Sequence, residues 1–183
     1  MKARFQIIHV IMAYLLIVLM AGCITQKSST TAKAVTYTAD KRKAPEIVSK
    51  NPQDELIKLS DSKGKLILLE FWGASSNESR KNHTQIELLY NNMKNKVFKN
   101  ADGFTVFSVS LDTDKDKWLQ ALHDDGVSWQ NQANDLKGWY SEAALSYDVN
   151  TLPKYFIIDG DGHVAEMHVS INNLEDLLRK RIK

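Results

Sequence analysis

Residues 65 to 72 read KLILLEFW, a near-continuous apolar run interrupted by one glutamate. A run of strand length with apolar side chains in consecutive positions has both faces covered, so it predicts a buried central strand inside a layered α/β fold. Helical periodicity follows at once: Ile86, Leu89, Tyr90, Met93 and Val97 recur at three- and four-residue spacing, which predicts a helix from Ser76 to about Lys96 with Ser76 as its N-cap.

The remaining pattern completes a sandwich. Glu55 to Leu59 alternates as a strand does, and Phe104 to Leu111 (FTVFSVSL) returns to strand. Asp112-Thr113-Asp114 caps a second helix through about His123, with Trp118, Leu119 and Leu122 as its apolar stripe and Gly126 as its stop. Residues 127 to 150 are polar and aromatic with weak periodicity. Strand Lys154 to Asp159, turn Gly160-Asp161-Gly162 and strand His163 to Val169 then form a hairpin signal, and Asn172 to Ile182 closes as an amphipathic helix. This order predicts an α/β three-layer sandwich with a central mixed β-sheet flanked by helices, over residues 44–183. A domain of about 140 residues buries roughly two thirds of its unfolded surface and can stand alone.

The N-terminal part is different in kind. Lys2 and Arg4 precede the apolar run Ile7 to Ala21, which is too short for a comfortable membrane span and reads as the core of a signal peptide over residues 1–22. Small residues lead into Cys23 in the run Met20-Ala21-Gly22-Cys23, which resembles the lipobox of bacterial lipoproteins. That resemblance implies lipidation at Cys23 and a cell-envelope location, with the outer membrane facing the periplasm as the expected site. Residues 24–43 are rich in Ser, Thr, Lys and Ala and read as a solvated tether. The tether carries five Lys/Arg and one Asp, whereas residues 44–183 carry 17 Lys/Arg and 21 Asp/Glu. An acidic globular domain argues against a nucleic-acid partner.

Where the strand ends at Phe71-Trp72 and the helix starts at Ser76, unpaired amides and the positive end of a helix dipole meet, the setting that stabilises a thiolate or an anion. This stretch, Gly64-Lys65 through Phe71-Trp72-Gly73-Ala74-Ser75-Ser76-Asn77-Glu78-Ser79-Arg80, resembles the TlpA/ResA-like branch of the thioredoxin superfamily. The likeness covers about Ala44 to Lys183 and is carried further by Ala44-Pro45 and by Tyr147-Asp-Val-Asn-Thr-Leu-Pro153 through Asp159-Gly160. It implies a thioredoxin-like fold in which Ser76 and Ser79 stand at the two cysteine positions and Pro153 is a cis-proline facing them. Ser75 stands where the family has a tryptophan.

The only cysteine in the chain is Cys23, and disulfide exchange needs one thiolate to attack and a second thiol to release the mixed disulfide. No catalytic residue is therefore assigned. The expected activity is binding of a peptide or protein partner through Trp72, Ser75, Ser76, Ser79, Leu152 and Pro153, with no cofactor and no metal, in a protein held to the membrane by its lipid. The alternative is a component of an envelope thiol-disulfide pathway acting beside cysteine-containing relatives. Ser76 lacks the G-x-S-x-G elbow of a hydrolase nucleophile. Glu70 lies near where some relatives carry a proton-moving carboxylate, but without thiols it reads as a strand-edge glutamate. His83 and Glu87 have the spacing of paired ligands, yet read as a solvated helix face. Trp118, Trp129, Trp139, Tyr140 and Tyr147 read mainly as core.

Overall fold

The computed structural model describes residues 42–183; the apolar run, Cys23 and all but the last two residues of the tether lie outside the described residues. A hairpin of β1 (Val48–Lys50) and β2 (Leu56–Lys58) leads through a 3-10 turn (Leu59–Ser62) into β3 (Leu66–Trp72). Helix α1 (Asn77–Met93), the short hairpin β4 (Val97–Phe98) and β5 (Ala101–Asp102), and β6 (Phe104–Ser110) follow. Next come α2 (Lys115–Asp124), β7 (Asn131–Ala133), a 3-10 turn (Gly138–Tyr140), α3 (Glu142–Ser146), β8 (Lys154–Ile158), β9 (Val164–Glu166) and α4 (Ile171–Arg179).

The central sheet has the order β7-β6-β3-β8-β9. β3 pairs in parallel with β6 and antiparallel with β8, so the apolar run is the middle strand of a mixed sheet, and all seven of its residues are buried. Alternation sorts its side chains. Leu66 and Leu68 pack with Ile86, Leu89 and Met93 of α1 and Leu174 and Leu178 of α4. Ile67, Leu69 and Phe71 face the opposite layer, built from Ile47, Leu59, Ala144, Tyr147 and Val149. Trp72 continues on the α1 side and meets Trp118 and Ala121 of α2. The three clusters draw on residues between Ala44 and Ile182 only. Residues 42–183 fall within one compact unit of the chain.

Several boundaries differ from the sequence expectation. α1 stops at Met93 because the chain turns into the β4–β5 hairpin, where Val97 pairs with Asp102. The hairpin after β8 is shorter than expected, and α4 ends at Arg179. The stretch 127 to 150 supplies an edge strand, β7, whose NQA sequence has no apolar alternation; it is held by parallel pairing with β6.

Candidate functional site

The site lies where β3 delivers the chain to α1. Gly73 to Ser75 form the connection, and Asp112, just past β6, clamps it: the Ala74 amide donates to both carboxylate oxygens, at 3.0 and 2.9 Å. Asp112 also accepts from Ser110 Oγ at 2.7 Å, and Ser110 Oγ in turn accepts from Asn134 Nδ2. A Cβ on Gly73 would stand 3.2 Å from Leu152 Cδ1, so the loop before Pro153 packs against this connection. The Leu152–Pro153 peptide bond is cis. Sequence residues 81 positions apart, Trp72 and Pro153, thus belong to one end of the sheet.

Ser76 caps α1. Its Oγ accepts from the Ser79 amide at 3.2 Å and from Ser79 Oγ at 2.9 Å. Ser76 is half-buried, Ser75 exposed, and Ser79 fully buried, the arrangement expected of an outer and an inner position on the first turn of one helix. Trp72 is also fully buried, so of the six expected binding residues Trp72 and Ser79 form the floor, and Ser75, Ser76, Leu152 and Pro153 form the accessible rim. The exposed aromatic side chains are Trp139 and Tyr140, at 50% and 84%, in the 3-10 turn beside Thr113; Trp118, Trp129 and Tyr147 belong to the core.

Beneath the rim lies a polar network that the sequence reading placed elsewhere. Glu70 is not at a strand edge: it sits in the middle of the central strand with no exposure. Its Oε2 accepts from Ser108 Oγ at 2.7 Å, and that hydroxyl accepts from Trp129 Nε1 at 2.9 Å. His83 is not on a solvated face either. It is fully buried, edge-on to Trp72 with ring centroids 4.6 Å apart, while Glu87 bonds Ser128 instead of sharing a ligand site with it. His83 Nδ1 lies 2.7 Å from Asp125 Oδ2, and Arg80 Nε donates to the same oxygen at 2.6 Å.

On its other side His83 Nε2 faces Glu70 Oε1 at 3.5 Å. That separation is too long for a strong hydrogen bond but within ion-pair distance. Neither atom has another partner. Burial alone would push the imidazole pKa down; the carboxylates of Glu70 and Asp125 outweigh it and hold the pKa above its ordinary 6.5. His83 thus lies buried between two carboxyl groups that favour its protonated form. Its signal in the sequence was the helical spacing Ser79, His83, Ile86, which extends the buried stripe of α1 toward its N-terminus. Glu70 was flagged by its position within an otherwise apolar run.

The profile of the thioredoxin-like family matches residues 64–164. This chain belongs to the thioredoxin-like family. Solved structures agree with that membership. The thioredoxin domain of a thiol-disulfide oxidoreductase from Bacteroides vulgatus is 27% identical, with a TM-score of 0.68 over 76% of this chain and 95% of that one. A thiol:disulfide interchange protein from Bacteroides sp. is also 27% identical, with a TM-score of 0.67 over 76% of this chain and 88% of that one. No curated protein matches the sequence.

The raised His83 pKa fixes a sign for stability. A group with a higher pKa folded than unfolded stabilises fully below its unfolded value and loses that contribution as pH climbs through the folded value. Unfolding of residues 42–183 by urea should therefore show stability falling as pH rises above about 6.5. His83→Gln should remove this slope and, by leaving Glu70 unpaired, cost about 3–5 kcal/mol near pH 6. A pH profile in the variant parallel to that of the parent would contradict the assignment.

Proposed function

We propose that this thioredoxin-like chain is a membrane-anchored protein of the cell envelope that is redox-inactive and binds a peptide or protein partner through the rim around Ser76 and Pro153. One observation carries the reading: the N-cap and the buried third residue of the helix after the central strand are both serine, hydrogen-bonded to one another, in a chain with no cysteine after Cys23. A hydroxyl neither attacks a disulfide nor holds a mixed disulfide for release. The rim keeps the means to bind. Ser75 and Thr151 are exposed, and the amides of Thr151 and Leu152 donate no hydrogen bond among the described residues, leaving them open to an extended peptide. The adjoining cleft is lined by charges of both signs, Asp112, Asp116 and Asp124 with Arg80 and Lys117, beside Ala74 and Ser75.

A second reading is favoured by the thiol-disulfide oxidoreductases among the similar structures. In it, this chain assists disulfide handling in the envelope by binding relatives that keep their cysteines. The identity of the captured partner separates the two.

Restoring sulfur tests the site. Ser76 Oγ and Ser79 Oγ are 2.9 Å apart, close to the roughly 2 Å of a disulfide bond. Within residues 42–183, Ser76→Cys combined with Ser79→Cys should form an intramolecular disulfide on mild oxidation and gain weak insulin-reducing activity, while the parent stays at the reagent blank. Two free thiols in a folded, oxidised double variant would mean that these serines do not occupy the cysteine positions.

The anchor rests on the lipobox-like Met20-Ala21-Gly22-Cys23, in which more than one acyl chain would hold the protein stably. Labelled palmitate should be incorporated by the full chain in a bacterial host and lost in Cys23→Ala, which should also leave the membrane fraction. Equal labelling of the two would remove the anchor from the proposal, and a full chain recovered only in the soluble fraction would do the same.

A further inference from the structure

The charge of the described residues is divided along the strand direction. β3 runs from Leu66 to Trp72, so the Ser76 site lies at its C-terminal end. At the opposite end several segments are tied together through the backbone. Leu66 N donates to Gly103 O, Gly103 N to Lys96 O, and Asp102 N to Gly64 O. The C-terminal residues join them: Lys99 N donates to Arg181 O, Lys183 N donates to Val97 O, and Phe98 bridges Ile182. The turn after β8 closes on the same place, since Gly64 N donates to Gly160 O, and Ala44 N donates to Gly162 O where the chain enters the described fold.

Segments 42–43, 63–65, 94–103, 159–163 and 179–183 together carry eleven Lys/Arg and three Asp, although residues 42–183 as a whole carry 19 Lys/Arg and 21 Asp/Glu. One end is thus strongly cationic and the remainder strongly anionic. Lys63, Lys65, Lys96, Lys99, Lys180 and Lys183 are exposed, and no carboxylate pairs with any of them among the described residues. Of the three aspartates, Asp159 is engaged by the amides of Asp161 and His163. The arginines nearby are also engaged, Arg179 by Glu175 and Arg181 by Glu166.

We infer that this lysine-rich end is a docking surface for a lipid bilayer bearing anionic headgroups, which holds the Ser76–Pro153 end away from the membrane. Lysines are compact, hydrated charges; six of them spread over separate loops, with no arginine fork aimed at one point, suit a diffuse anionic plane better than a single bound phosphate. A nucleic-acid strand would track past the acidic flanks, whereas a plane meets one end alone. Helix α1, 17 residues long, spans the two ends, which puts the site about 25 Å from the headgroups. The chain enters the fold at this same end, so the inference agrees with an anchor at Cys23 but does not need one.

Residues 42–183, which lack Cys23, separate this surface from the lipid anchor. The stretch should sediment with phosphatidylcholine vesicles containing about 30% phosphatidylglycerol, should not sediment with pure phosphatidylcholine, and should be released at about 0.5 M salt. The combination Lys96→Glu, Lys99→Glu, Lys180→Glu and Lys183→Glu should weaken binding at least about tenfold. Circular dichroism and thermal unfolding like those of the parent would establish that this variant is folded. Lys117→Glu with Lys137→Glu, away from the cluster, should leave binding unchanged. Equal binding to neutral vesicles, full binding by the folded quadruple variant, or binding to duplex DNA without binding to the anionic vesicles would overturn the inference. None of these outcomes bears on the serine site, whose test is the restored disulfide.

Discussion

A carboxylate in the middle of a strand covered on both faces must be neutralised or hydrogen-bonded where it stands. Glu70 meets that demand through Ser108 on the neighbouring strand and through the imidazole ring of His83 on α1, whose protonated form it favours. His83, buried in turn, needs Asp125 beyond the end of α2, and Asp125 is completed by Arg80, which is partly exposed. Compensation therefore runs from the centre of the sheet out to solvent, and it joins β3, β6, α1 and the end of α2. The network lies on the same face of α1 as the buried stripe Ile86, Leu89 and Met93, so polar and apolar contacts turn one face of the helix inward. With His83 inside, Ser79 one turn earlier is inside too, and Ser76 is left at the rim.

The site itself is shaped by a separate set of contacts. The strand-to-helix connection is set by Asp112 accepting from the Ala74 amide, by Ser76 capping the helix and by Leu152 closing on Gly73. None of these contacts uses sulfur. The connection presents a helix N-terminus, amides at Thr151 and Leu152 that donate no hydrogen bond among the described residues, and a cleft lined by Asp112, Asp116 and Asp124 together with Arg80 and Lys117. This end of the sheet lies opposite the lysine-rich end.

The layered fold was legible because its signals are local. Residues 65 to 72 declare a doubly covered strand, Ser76 and Asp114 both cap the helices expected of them, and Gly160-Asp161-Gly162 marks the turn between β8 and β9. β7 was not legible, because three residues reading Asn-Gln-Ala become a strand only through tertiary pairing. The polar network was not legible for the same reason. Glu70 stands out in its apolar run but its partners do not, because the contacts Glu70–His83 and His83–Asp125 join residues 13 and 42 positions apart. The cationic end is of this kind too, since its lysines are scattered along the chain and gathered by backbone hydrogen bonds.

The account turns on whether His83 is a buried cation held between Glu70 and Asp125. Its imidazole can be followed directly by nitrogen-15 NMR of residues 42–183 across a pH series. Both ring nitrogens should carry protons at pH 6.5, and the midpoint should lie above that value. A neutral imidazole at pH 6.5, titrating only at lower pH, would contradict the ion-pair network.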